Sequence, residues 1–541
     1  MNVEGILLFV LCAAAVIVAV RWVANRTGLP SAALLTIVGI AYALLPGPNV
    51  HLEAQIILTF VIPPLLYSAA LDSSLLDIRR HLRTVISLSV LLVLATAMLV
   101  GVGFDLFVGG ATLAAGVALG AAIAPPDPVA ALAVGRRAGL PGNLITLIQG
   151  EGLLNDATAL TILTVAASAA TGDGFSFTHA VGKFFLAAIG GLVAGVVVAY
   201  AVRALRHFRH DPLSANVISL ATPFAAYLLG ESVHVSGVLA VVVAGLIIGH
   251  DAPRYGSGAS RLQTGAVWRL IDFVLEGVVF LLIGQQLPEV VKGLADYSAG
   301  TIAAALAIAV GVTLLLRPLW LVLTQSLPRS LHTRLGGDDD SPVHDKRLNA
   351  KEVTALSWAG TRGVISLAAI FIIPADVPDL DLLRFCTFVV VLVTLIGQGL
   401  TFAPLVRRLG LRANHADLAR ERNEARSASV QAALDQLDEI KQERHDNVED
   451  QAIDNMRKQL EVRLERYRRR LDLLEKADSD EMPTSPKYEA ALRVRKQVIE
   501  AQREELLRWR DAGNLTDEGL RVLERELDHE ELLLPDRHAR A

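Results

Sequence analysis

Six ionisable side chains lie inside long apolar stretches of this sequence. An ionisable group in the interior of a lipid bilayer is costly, and groups kept there are usually functional. The six residues are Asp127, Glu151, Asp156, Glu276, Arg317 and Arg362. Arg269 and Asp272 lie near the start of their apolar stretch, so we interpret them as candidates for the membrane interface. These six residues within apolar stretches therefore indicate a site that binds or transfers ions or protons.

Two of the acids share one apolar stretch with an amide. Glu151 and Asn155 are four residues apart and therefore lie on one helical face. Asp156 is five residues from Glu151, about 140° around the helix and ~7.5 Å along it. The two carboxylates therefore face different surroundings, so that one can pair with a cationic group while the other faces a cavity.

Arg317 is the leading candidate to pair with Glu151. Its guanidinium cannot lose its charge, and a buried arginine therefore needs a buried carboxylate. The alternative is an arginine that extends its side chain to the inner membrane surface.

Two segments predict interrupted helices. Pro125, Pro126 and Pro128 surround Asp127, and each proline removes a backbone N–H and clashes with the preceding turn. A simple kink is the alternative, but an acid between the prolines favours an ion site. The second segment is the run Gly360, Thr361, Arg362 and Gly363, in which two glycines flank a charge. Transporters use such breaks to hold ions near the middle of the membrane.

Apolar runs of about 20 residues predict membrane-spanning helices. We count about thirteen: 5–22, 30–46, 53–71, 84–103, 110–134, 142–170, 178–205, 213–230, 235–250, 265–287, 299–326, 351–373 and 382–406. The run 235–250 is short enough to be a half-span. The fifth and twelfth runs are separated by an odd number of crossings and therefore run in opposite directions. This fits two inverted repeats, spans 1–6 and 8–13, whose broken helices cross.

The basic residues predict the orientation, because Lys and Arg concentrate in cytoplasmic loops. With the N-terminus outside, the inner loops hold Arg21, Arg26, Arg79, Arg80, Arg83, Arg136, Arg137, Arg203, Arg206, Arg209, Arg254, Arg261, Arg329, Arg334, Lys346 and Arg347, and Arg407, Arg408 and Arg412 follow the last span. We therefore predict a multi-pass protein of the inner (plasma) membrane with a cytoplasmic C-terminal tail.

Composition divides the chain into a transmembrane domain, 1–411, and a cytoplasmic helical tail, 412–541. The whole chain is 52% hydrophobic and only 19% charged, and its charges concentrate in the tail. The net charge of -5 gives no reason to expect nucleic-acid binding. A coiled-coil-like apolar stripe follows the charged tail at helical spacing: Ile453, Met456, Leu460, Leu464, Tyr467, Leu471 and Leu474. It needs a partner, either another tail helix or the same helix of a second subunit.

Further helices are predicted at about 487–511 and 516–533, after a linker at 478–486. The tail is either a helical hairpin that aids folding or dimerisation, or a regulator of the membrane domain.

In order and spacing, these motifs resemble those of the cation:proton antiporters, a family that includes bacterial and archaeal sodium/proton antiporters and animal sodium/proton exchangers. The resemblance rests on Asp127-Pro128, on Glu151 with Asn155-Asp156, on the segment 276–280, on Arg317 and on the segment 360–363. It implies a membrane transporter rather than an enzyme, an expected homodimer, and no cofactor besides the transported Na⁺ and H⁺.

The resemblance also implies roles. Asp156 is similar to the family's Na⁺- and proton-binding aspartate, Asn155 orients the site, and Asp127 supports it. Glu151 pairs with Arg317, and the Asn-Asp pair is similar to that of electroneutral exchangers. Glu276 either lines the ion path or makes a structural hydrogen bond.

Two departures from the family pattern concern the cation ligands. Many relatives have a hydroxyl residue where this chain has Pro126, and some have Ser where it has Gly152. The preference for Na⁺ over Li⁺ or K⁺ therefore stays open.

The expected activity is exchange of Na⁺ for H⁺ that serves pH and sodium homeostasis. Burial of an aspartate disfavours its charged form, so that a proton and a cation can compete for one group. A K⁺/H⁺ antiporter is the alternative. An anion or organic-acid carrier that uses Arg317 and Arg362 is disfavoured by the acids, and a channel would not need a titrating carboxylate.

Overall fold

The structure is a computed structural model of the 541-residue chain. It describes residues 3–45, 56–128, 131–132, 135, 139–171, 177–207, 211–255, 258–326, 348–374, 376–411, 415–443, 447–476, 486–512 and 514–532. By its internal contacts the chain divides into two compact units, Met1–Arg412 and Ala413–Ala541.

The first unit is built from fifteen helices among its described residues. They are α1 (Val3–Thr27), α2 (Ser31–Ala43), α3 (Ile57–Leu71), α4 (Leu75–Arg80), α5 (Leu82–Phe107), α6 (Leu113–Ile123), α7 (Gly142–Ala170), α8 (Phe177–His207), α9 (Pro212–Ser232), α10 (Gly237–Tyr255), α11 (Gly258–Lys292), α12 (Ala299–Ser326), α13 (Ala350–Trp358), α14 (Val364–Ile372) and α15 (Leu380–Leu409). Helices α3, α5 and α15 each contain one π-helical segment.

The prediction of an all-α membrane protein is confirmed, since the described residues form helices and no strand. Eight of the described helices are long and apolar enough to cross a membrane. Each of the thirteen predicted runs overlaps at least one helix. The short run 235–250 overlaps the 19-residue helix α10, whose segment Gly237–Arg254 is long and apolar enough to cross a membrane. The exact number of crossings and the inverted repeat stay predictions.

Small residues bring the helices close together, as is usual inside membranes. Helix α6 packs against α5 so tightly that a methyl group on Gly120 would lie 2.6 Å from the Cα atom of Ala97. Helix α2 packs against α11 in the same way, because a methyl group on Gly284 would overlap the carbonyl oxygen of Thr36. These contacts fix the broken helix α6 and the acid-bearing helix α11 against their neighbours.

The second unit is helical, as predicted. Its helices are α16 (His415–Glu443), α17 (Asn447–Lys476), α18 (Pro486–Asp511) and α19 (Asp517–Leu532). Val430 and Leu434 of α16 pack with Leu464 of α17, so the predicted stripe has an intramolecular partner. Met456, which we placed on that stripe, is instead exposed. The side chain of Leu474 and most of the predicted linker lie outside the described residues.

Candidate ion site at two broken helices

The first break follows α6. The helix ends at Ile123, residues 124–127 are not helical, and helical conformation resumes at Pro128. Pro126 and Pro128 cannot donate the backbone hydrogen bonds that a continuous helix would need. Asp127 therefore lies on non-helical backbone.

The second break separates α13 from α14. Helix α13 ends at Trp358, and α14 begins at Val364. Gly360, Thr361, Arg362 and Gly363 between them are not helical. These four residues are the ones whose glycines and charge predicted an unwound segment.

The two breaks hydrogen-bond to each other. The backbone N–H of Asp127 donates to the carbonyl oxygen of Thr361 at 2.6 Å, and the hydroxyl of Thr361 donates to the carbonyl oxygen of Asp127 at 3.0 Å. Asn155 of α7 donates from Nδ2 to the carbonyl oxygen of Pro126 at 3.1 Å. Each break thus satisfies polar backbone groups that the other exposes, and Asn155 holds the crossing against α7.

Charged side chains lie at the helix ends created by the breaks. Arg362 donates from Nε to the carbonyl oxygen of Ile123 at 2.6 Å, so its positive charge faces the carbonyl end of α6. It also donates to the carbonyl oxygen of Gly360. The carboxylate of Asp127 lies so close to Gly363 that a Cβ atom there would overlap it, which places this negative charge at the amino end of α14. Both placements are favourable for the helix dipoles.

Glu151 and Arg317 form a buried ion pair between α7 and α12. Nη2 of Arg317 donates to Oε2 of Glu151 at 2.8 Å, and Nη1 donates to Oε1. Nε of Arg317 also donates to the carbonyl oxygen of Leu356, at 3.1 Å. Glu151 is 1% exposed and Arg317 3% exposed. The carboxylate of Glu151 is therefore compensated by the positive charge of Arg317.

Asp156 lies on the same helix but in different surroundings. It is 4% exposed and lines a cavity of about 290 Å³. Among the described residues no group donates a hydrogen bond to its carboxylate, and the Oδ1 atom of the neighbouring Asn155 is buried without a hydrogen-bond partner. Two adjacent side chains of α7 thus have polar oxygens that the described protein leaves unsatisfied.

Four further acids line the same cavity. They are Asp72, Asp127, Asp272 and Glu276. Asp72, after the end of α3, is exposed, so the cavity extends from the buried Asp156 to the protein surface. The cavity therefore offers an acidic path between water and Asp156.

The structure places most of the predicted site residues together. Asp127, Asp156, Glu276, Pro128 and Gly363 line the cavity. Pro126, Asn155, Thr361 and Arg362 form the crossing beside it, and Glu151 and Arg317 form the ion pair.

Sequence reasoning missed the position of one acid in this cavity. Asp272, which we interpreted as interfacial, lines the cavity, and Ser68 donates a hydrogen bond to its carboxylate at 2.7 Å. A signal for this position was present, because Asp272 and Glu276 are four residues apart and share one face of α11.

Paired broken helices beside a cavity with a buried carboxylate define a secondary ion transporter of the membrane. The chain belongs to the sodium/hydrogen exchanger family, whose model for the transmembrane region matches residues 12–408. It is therefore a multi-pass membrane protein of a transporter family.

Similar proteins agree with this assignment. The chain is 33% identical to an uncharacterised Na⁺/H⁺ exchanger of Mycobacterium tuberculosis over 99% of this chain and 97% of that protein. It is 30% identical to the Na⁺/H⁺ antiporter ApNhaP of Aphanothece halophytica, over 72% of this chain and 71% of that protein. The fold is similar to that of the sodium proton antiporter MjNhaP1 from Methanocaldococcus jannaschii, with a TM-score of 0.58 and 18% identity over 76% of this chain and 99% of that chain.

The buried ion pair predicts a specific pattern of stabilities. Glu151→Gln and Arg317→Ala should each lower the melting temperature in detergent, because removing one partner strands the other charge at a cost of roughly 3–5 kcal/mol. The double variant should lose less than the sum of the two single losses, since no charge is then stranded. Strictly additive losses would show that the pair contributes nothing as a pair.

Proposed function

We propose that this chain exchanges Na⁺ for H⁺ across the cell inner (plasma) membrane, for pH and sodium homeostasis, and that Asp156 binds the two ions in turn. One observation carries the proposal. Of the two carboxylates on α7, Glu151 is neutralised by Arg317, whereas Asp156 lines a cavity that reaches the surface. Asp156 is therefore the carboxylate on α7 that is open to exchange its counter-charge.

Obligatory exchange follows because an ionised Asp156 carboxylate without a bound ion is energetically unfavourable in the apolar interior. An ionised carboxylate without a partner is unstable in an apolar environment, and a proton or a bound cation each remove that cost. The domain that carries Asp156 then reorients only when one of the two ions is bound. Because both occupy the same carboxylate, they cannot be carried together.

The crossing of the two breaks supplies the rest of the cation site. Hard cations bind oxygen atoms. Two oxygen groups beside Asp156 are candidates: the Oδ1 atom of the adjacent Asn155, which has no partner among the described residues, and the carboxylate of Asp127, which lines the same cavity. Thr361 and Arg362 join the two breaks through hydrogen bonds to the carbonyl oxygens of Asp127 and Ile123, and they act as gating elements. Glu276 lies on the path by which ions reach the site.

We further propose that the cavity opens to the cytoplasm and that the protein is a homodimer whose tail tunes transport. The cavity reaches the surface at Asp72, on the side where Arg79 and Arg80 end α4, and basic residues mark the cytoplasmic side.

Labelling of single cysteines placed beside Asp72 should occur only from the inner side of oriented vesicles. The native mass in detergent should be that of two chains. Labelling from outside, or a monomer mass, would contradict these assignments.

Asp156→Asn should abolish exchange, because asparagine keeps the shape of the side chain but can neither bind a proton nor supply a charge. The measurement is proton flux driven by a Na⁺ gradient in reconstituted vesicles, which should fall to the level of protein-free vesicles. The melting temperature should stay unchanged or rise, since a buried acid without a partner is costly.

Asp105→Asn is the matched control, because Asp105 is an exposed aspartate of α5 that does not line the cavity. It should transport as the unmodified protein does. Retained Na⁺-driven flux in folded Asp156→Asn protein would overturn the single-carboxylate mechanism.

Exchange should be electroneutral, with one cation moved for each proton. Only Asp156 changes its occupant in this mechanism, while Asp127 keeps its charge at the amino end of α14. The transport rate in vesicles should therefore not depend on an imposed membrane potential. A rate that follows the potential would mean that a second cavity acid, such as Asp127 or Glu276, also carries protons.

A further inference from the structure

We infer that the hydroxyl of Ser366 is a neutral oxygen ligand of the transported cation. The inference rests on the proposed function, since it assigns a ligand to the same cavity. It adds a residue of α14 to a site otherwise formed by α7 and the first break. It also assigns a hydroxyl ligand to a site in which residue 126 is a proline and residue 152 a glycine.

Ser366 is the third residue of α14 and is 1% exposed. It lines the cavity together with Asp127 and Asp156, and among the described residues its Oγ atom has no hydrogen-bond partner. A buried hydroxyl without a partner reduces stability, so native structures usually satisfy such groups. Because Ser366 lines the ion cavity, a cation bound there would satisfy this oxygen.

Several other buried helical hydroxyls of this chain are satisfied locally. Thr96, Thr158 and Thr387 each donate to the carbonyl oxygen four residues earlier, the usual arrangement for such residues within a helix. The corresponding carbonyl for Ser366 belongs to Arg362, which lies in the break before α14 begins. The break therefore removes the local partner that a serine in a continuous helix would have.

None of the other described buried hydroxyls both lines the cavity and lacks a hydrogen-bond partner. Ser68 and Ser73 also line the cavity, but Ser68 donates to Asp272 and Ser73 to the carbonyl oxygen of Ala69. The other buried hydroxyls that lack a partner among the described residues do not line it: these are Tyr67, Thr313, Ser357 and Ser427. Among the described residues, Ser366 is therefore the one that lines the cavity and has a buried hydroxyl without a hydrogen-bond partner.

The chemistry of the site favours a neutral ligand at this place. Na⁺ needs several oxygen ligands, and a hydroxyl supplies one without adding charge, so the exchange of one cation for one proton is preserved. Position 152 cannot supply it, because a Cβ atom on Gly152 would lie only 2.5 Å from the ring of Pro128. Position 126 is a proline whose carbonyl oxygen accepts from Asn155.

The test compares Ser366→Ala with Ser357→Ala in reconstituted vesicles. Both remove one buried hydroxyl without a described partner from the same interrupted span, but only Ser366 lines the cavity. Ser366→Ala should raise the KM for Na⁺ about tenfold, the size expected for one lost interaction with a charged group, and leave the maximal rate within about twofold. Ser357→Ala should keep the KM of the unmodified protein.

A second readout does not depend on transport. Na⁺ should raise the melting temperature of the purified protein in detergent, because a ligand stabilises the state that it binds. In Ser366→Ala the same rise should need about ten times more Na⁺, while the melting temperature without Na⁺ should not fall. If Ser366→Ala does not fold, Ser366→Cys, which replaces the hard oxygen by a soft sulfur, should show the same loss.

The outcomes separate this inference from the proposed function. If the unmodified protein shows neither Na⁺-driven proton flux nor stabilisation by Na⁺, the proposed function fails, and the ligand assignment fails with it. If the unmodified protein shows both, and Ser366→Ala and Ser366→Cys match it in KM and in stabilisation, only the ligand assignment is overturned.

Discussion

The hydrocarbon core of a membrane contains no water to satisfy a broken backbone, and the centre of this molecule is organised around that constraint. Prolines end α6 and glycines separate α13 from α14, and each interruption leaves polar groups that no helix turn can satisfy. The two interruptions satisfy each other through Asp127 and Thr361. Because neither segment can be stable alone at that depth, the crossing holds both at one place, and the proposed ion site lies where they meet.

The charges beside the crossing follow from the same arrangement. Arg362 faces the carbonyl end of α6, and Asp127 lies at the amino end of α14, so the breaks provide partial charges of the sign that each side chain needs. Glu151 is neutralised by Arg317. Asp156 has no comparable partner among the described residues and lines the cavity instead. In the proposed mechanism exchange therefore depends on Asp156, because the charges of Glu151 and Asp127 are compensated by Arg317 and by the amino end of α14.

The sequence predicted the features that depend only on interactions between residues close together in the chain. Proline chemistry predicted the break at 124–127, and the angular separation of Glu151 and Asp156 predicted that they face different surroundings. Features that depend on contacts between distant segments were not predictable in this way. The hydrogen bonds between Asp127 and Thr361 join residues 234 positions apart, and nothing in the sequence specifies them. Asp272 resembled an interfacial acid, and only the structure shows that it lines the cavity beside α3. Ser366 differs from the other serines whose buried hydroxyl has no described partner, Ser357 and Ser427, in lining that cavity.

The central claim is that a proton and a cation compete for the carboxylate of Asp156. Proton release on cation binding tests it most directly, because it needs neither a membrane nor a complete transport cycle. Purified protein in weakly buffered detergent solution, at a pH where Asp156 is protonated, should release about one proton for each Na⁺ bound, and folded Asp156→Asn protein should release none. Binding of Na⁺ to the unmodified protein without release of protons, or equal release from Asp156→Asn, would contradict the account.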